Sequence, residues 1–107
     1  MKANSETYRY SIPESGHIHI TVSINPTRVN VHAGKTGGPL SAMADRLGAV
    51  AGQAIRGGVP VRKVALGLID TRHDRSPPRR NGDEGDQWRA YSVPDAIGCA
   101  IKRRFDI

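Results

Sequence analysis

From His17 to Ile24 the chain alternates without a break. Ile18, Ile20, Val22 and Ile24 fall on one side, and His17, His19, Thr21 and Ser23 on the other. A period of two with β-branched apolar positions predicts a strand that buries one face. Asn25-Pro26-Thr27 supplies a turn. Arg28 to Ala33 then resumes the alternation, with Val29 and Val31 on the apolar side and Arg28 on the opposite one, beside Asn30 and His32. These two runs predict a hairpin. Upstream, Tyr8 to Ile12 reads as a further strand, ended by Pro13 and turned by Glu14-Ser15-Gly16.

The period changes after Gly34-Lys35-Thr36-Gly37-Gly38. Pro39 suits a first helical turn, where its missing N–H costs nothing. Apolar residues then recur at Leu40, Met43, Ala44, Leu47, Val50, Ala51, Ala54 and Ile55, a three-and-four stripe that lays one helix face on the sheet. Gly57-Gly58 stops this helix, and Pro60 opens a shorter one through about Leu68. Residues 71 to 87 carry almost no apolar side chain, basic in the first half and acidic in the second. Such a stretch cannot offset its ordering entropy by burial and predicts a mobile polar loop. Ser92-Val93-Pro94-Asp95 then opens a last helix as an S-x-x-D capping box. Ile97, Ile101 and Phe105 follow at four-residue spacing, with Lys102-Arg103-Arg104 at the end that favours cations.

The expected fold is therefore α+β: a small antiparallel sheet of two or three strands packed against about three helices. At 107 residues it forms a single domain, residues 1–107, with no room for a second core. One Trp, three Tyr and one Phe leave the core to Ile, Val, Leu and Ala. So small a core, with an exposed sheet edge, predicts a homo-oligomer. A lone cysteine, Cys99, forms no internal disulfide, and one Cys with scattered His offers no structural zinc set. No apolar run approaches a membrane span, and the first residues lack a signal-peptide core. A soluble cytoplasmic protein is expected, or one in the host cytoplasm if phage-encoded.

Charge sharpens the picture. The formal net charge is +6, and twelve of the sixteen basic residues are arginine. The guanidinium fork grips phosphate in two places, as Lys cannot, so a phosphorylated partner is expected. The Gly34–Gly38 turn, between strand and helix start, offers converging N–H groups to an anion. It is not a P-loop, because the glycine required five residues before Gly34 is Val29. Trp88, beside Arg89, is placed to stack on a base. His17, His19 and His32 share a polar sheet face, without a thiol or carboxylate to complete a metal site. Cys99 sits among small apolar residues and reads as packing. No recognisable catalytic constellation emerges, so no enzyme, cofactor or metal is expected. The mixed charges of residues 72–86 argue against a nucleic-acid partner.

Three segments taken together resemble a known family. A hairpin leads into Gly34-Lys35-Thr36-Gly37-Gly38; a helix ends in Gly57-Gly58-Val59-Pro60; and Ser92-Val93-Pro94-Asp95-Ala96-Ile97 opens the last helix. The order resembles the TSCPD domain, found at the C-terminus of vitamin-B12-dependent ribonucleotide reductases and as stand-alone proteins, over about residues 17 to 105. The family's name motif carries a cysteine where this chain has Val93, so the resemblance implies no redox or metal role. It implies an accessory or regulatory protein associated with ribonucleotide reductase. The compact sheet-plus-helix chain with Arg28, Arg56, Arg103 and Arg104 also resembles the phage Thoeris anti-defence proteins, which are oligomers that sequester nucleotide signals uncleaved. On that resemblance the expected function is a non-catalytic sponge for a cyclic or ADP-ribose-type nucleotide. Its candidate ligand set is Arg28, Lys35, Thr36, Arg56, Trp88, Ser92, Arg103 and Arg104.

Overall fold

Three alternating runs pair into an antiparallel meander. The computed structural model describes residues 4–12, 16–33, 39–69 and 87–107. In chain order its elements are β1 (Ser5–Ile12), β2 (Gly16–Ser23), β3 (Arg28–Ala33), α1 (Pro39–Arg56), α2 (Val61–Leu68), β4 (Gln87–Arg89) and α3 (Val93–Phe105). The register stacks apolar positions across the sheet: Tyr8 opposite Ile20 opposite Val31, and Tyr10 opposite Ile18. Because the side-chain period is two, this register puts every apolar position of the three strands on one face. That face is buried, with Ile20 and Val22 fully so.

The α+β fold expected from the sequence is the one observed, with two differences in detail. Ile24 leaves the strand: it lies in the turn over residues 24–27, where Asn25 takes a φ of 58° and reverses the chain. The Ile24 N–H instead donates to Asn4 O at 3.1 Å. The sheet also gains a fourth strand. Gln87, expected to end the polar loop, starts β4, which pairs parallel with Arg9–Ser11 of β1. The strand order is β3-β2-β1-β4. Residues 71–86 of the predicted loop lie outside the described residues, as do Gly34 to Gly38.

The helices cover the apolar face. α1 packs on β3, while α3 lies over β2 and β1 with α2 on its flank. Close approach is set by glycine. A Cβ on Gly48 would stand 2.7 Å from Val31 Cγ2 and 2.8 Å from Val29 O, so α1 can sit down on β3 only without a side chain there. A Cβ on Gly98 would meet Ala65 O and Ile69 N at 2.9 Å, which fixes how α3 meets the end of α2. Ala96, Ile97, Ala100 and Ile101 of α3 are completely buried, making it the central helix. α1 ends as predicted: the Val59 N–H reaches Ala54 O, and Gly58 N–H reaches Ile55 O. This pairing satisfies the last carbonyls of the helix.

Candidate functional site

The site is built where the end of α3 meets β1. Asp95, Cys99 and Arg103 are spaced four residues apart, so they lie one above another on α3. The first of them is structural. Ser92 Oγ accepts from the Asp95 N–H at 3.3 Å, as the capping box predicts. Fully buried Asp95 accepts the Tyr91 N–H at 2.8 Å through Oδ2, and the Cys99 thiol lies 3.8 Å from Oδ1. Ser92 is thus a buried cap of α3.

Two turns on, the helix presents its cations. The Arg103 guanidinium carbon lies 4.4 Å from the centroid of the Tyr8 ring and 5.9 Å from that of Tyr10, within cation–π range. Arg104 Nη2 donates to Asn4 O at 3.0 Å, pinning the last turn of α3 to the start of β1. The Tyr8 hydroxyl donates to Glu6 Oε2. Burial, and then this acceptor, push the Tyr8 phenol well above its ordinary range, against the pull of Arg103 and Arg104. Burial likewise pushes Tyr10 up to about 12, with the Arg103 guanidinium acting in the opposite direction. Both phenols therefore stay protonated at neutral pH. Both are neutral there, and the Tyr8 hydroxyl hydrogen-bonds to a side chain, Glu6.

Beside this cluster lies an open cavity of about 360 Å³, lined by Glu6, Thr7, Tyr8, Arg9 and Arg103. It exists because β4 pairs only with Arg9–Ser11, so the earlier part of β1 has no strand partner on that side among the described residues. The Arg9 Nε is buried and finds no hydrogen-bond acceptor among the described residues.

The structure brings some of the predicted residues together and separates others. Arg103 and Arg104 share the α3–β1 junction. Arg56 closes α1 and donates from Nη1 to Thr27 O at 2.6 Å, tying that helix end to the β2–β3 turn. Arg28 stands exposed opposite Ser23 in the register, on the face of the sheet that the helices do not cover. Neither Arg28 nor Arg56 lines the Arg103 cavity. Lys35 and Thr36 lie outside the described residues. Trp88 sits in β4 opposite Tyr10 in the register, and its side chain lies outside the described structure. The sequence reading missed Glu6, Thr7, Tyr8, Tyr10 and Arg9 as site residues. The available signal was two tyrosines on the apolar side of a strand, each carrying a hydroxyl that needs a polar neighbour.

A second surface feature is apolar. Met43, Leu47 and Val50 of α1, with Val93 and Pro94 of α3, line a groove of about 420 Å³, and Met43 and Val50 are 69% and 57% exposed. Among the described residues no group of three His, Cys, Asp or Glu could hold a metal ion, and no helix is long and apolar enough to cross a membrane. No family model, curated protein or solved structure matches the chain.

Proposed function

We propose that this protein binds a small phosphorylated ligand without converting it, most concretely as a sponge for a cyclic or ADP-ribose-type nucleotide signal. The observation that carries this reading is the Arg103 guanidinium over the Tyr8 ring at the edge of a cavity that Arg9 also lines. The cavity's size falls within the range of small-ligand sites. Guanidinium groups neutralise phosphate, and the tyrosine ring offers an apolar wall to a sugar or base. Arg28 and Arg56 stand apart from this cavity, so in one chain the phosphate contact falls to Arg103, with Arg9 beside it in the lining. A homo-oligomer, proposed here as well, would be needed for the other two to contribute. The test is to denature a complex formed with cyclic dinucleotides or ADP-ribose and weigh the released ligand by mass spectrometry. The intact nucleotide is expected; recovery of hydrolysed product alone overturns the reading.

A second reading rests on the apolar groove. Exposed Met43 and Val50 beside Val93 and Pro94 suit a protein partner. With the TSCPD resemblance, this supports an accessory protein docked on a ribonucleotide reductase. A pull-down that recovers the reductase with the wild-type chain but not with Met43→Asp favours it over the sponge.

A further inference from the structure

α1 and α3 cover one face of the sheet, and among the described residues no element covers the other. Its chemistry is one-sided. Arg9, His19 and His32 stand in register as one row across β1, β2 and β3, and Thr7, Thr21 and Asn30 form the next. Arg28 lies beyond them opposite Ser23, and His17 lies opposite Ser11. The adjoining β4 brings Gln87 opposite Arg9 and Arg89 opposite Ser11 in the register. Among the described residues no Asp or Glu occupies this face. His17, Arg28, Asn30 and His32 are exposed, and Arg9 and His19 half-buried. Every one of these side chains can donate a hydrogen bond. With strands about 4.8 Å apart and a rise of about 3.4 Å per residue, the patch measures roughly 10 by 20 Å.

We propose that this open face is a sequence-independent binding surface for the phosphate backbone of duplex nucleic acid. The residue types are those that contact phosphates and sugars: arginine for charge, with hydroxyl, amide and imidazole donors to fix position. Three features select this occupant. Among the described residues the face holds no carboxylate, so none of them repels a polyanion there. The chain as a whole carries +6, which favours approach of such a partner. The face carries no Phe, Tyr or Trp among the described residues, so unpaired bases find no stacking platform. A duplex, with one charge per about 1.7 Å of axis, offers the denser array of phosphates. Arg9 and Thr7 also border the Arg103 cavity, whereas Arg28, His19 and His32 do not, so the latter three residues separate this face from that site.

Fluorescence anisotropy of the full chain with labelled DNA of mixed sequence, over a salt series, tests it. Duplex binding is expected to be indifferent to base composition, with log K falling against log salt at a slope of about −2 for two arginine contacts. Arg9→Ala and Arg28→Ala should each flatten that slope by about one. His19→Ala with His32→Ala should weaken binding roughly tenfold, and Arg103→Ala should leave it unchanged. Circular dichroism confirms that each variant is folded. Absence of binding, tighter binding to single strands, or slopes that Arg9→Ala and Arg28→Ala leave untouched would each overturn the proposal. Capture of an acidic protein without measurable DNA binding would assign the face to a protein partner, and overturns it equally.

Discussion

Arg103 and Tyr8, at opposite ends of the chain, meet at 4.4 Å with the guanidinium carbon over the phenol ring. The contact exists because α3 runs across β1, and it sets the position of the charge that faces the cavity. Tyr8 is itself held by Glu6 through its hydroxyl. A short relay thus runs from carboxylate to phenol to guanidinium. Each member limits the freedom of the next.

Replacing Arg103 separates its two roles. Arg103→Ala loses both the ring contact and the charge and should lower stability by about 1 kcal/mol. Arg103→Lys keeps the charge but loses the planar fork and the stacked geometry. Urea denaturation with nucleotide titration checks both. Ligand affinity should fall strongly in the alanine variant and partly in the lysine variant.

The α3 cap predicts a graded loss. Ser92→Ala removes the side-chain acceptor of the Asp95 N–H and should cost about 1 kcal/mol. Asp95→Ala leaves the Tyr91 N–H without its carboxylate acceptor inside a buried site, and should cost about 2 kcal/mol or more. Chemical denaturation of the two variants orders them. Equal losses would show that the buried carboxylate adds nothing to the cap.

Glycine substitutions make an internal control. Gly48→Ala drives a methyl against Val31 and the Val29 carbonyl and should destabilise by about 1–3 kcal/mol. Gly67→Ala, in α2, meets nothing within 4 Å and should stabilise by about 0.5–1 kcal/mol. Thermal melts of the two variants should move in opposite directions.

The buried phenols predict an alkaline limit. Tyr10 is raised from 10.0 to about 12 in the folded chain, chiefly by burial. Below about pH 10 the phenol is protonated in both states, and its contribution to stability is constant. Above that pH the unfolded chain releases the proton while the folded chain retains it, so stability falls as pH rises towards 12. Tyr8 shifts in the same direction and adds to the fall. Denaturant midpoints measured across this window should decline in the wild type, and less steeply in Tyr10→Phe.

Much of the fold is legible in the sequence because its signals are local. The alternation through Ile18, Ile20 and Val22, the stripe from Met43 to Ile55, and the Ser92–Asp95 box each report the element they form. β4 is not legible, since three residues give no period to read, and its pairing depends on where the chain returns to β1. Placement of Arg28 on the polar side is implicit in its alternation with Val29 and Val31. The company of Arg103 is a different matter: Tyr8 and Tyr10 lie more than ninety residues away, and only the packing of α3 on β1 brings them there. Arg56 likewise looks like a free helix-end cation until the Thr27 carbonyl is found beneath it. Local patterns show that charges exist; tertiary contacts decide which of them remain to face a ligand.

Nucleotide capture at Arg103 is decided by native mass spectrometry of the wild-type chain and of Arg103→Ala against the same cyclic dinucleotides and ADP-ribose. The folded wild type should retain one of these nucleotides intact, and the variant, equally folded, should lose it. Equal retention by both proteins, or none by the wild type, would rule out a nucleotide held by Arg103.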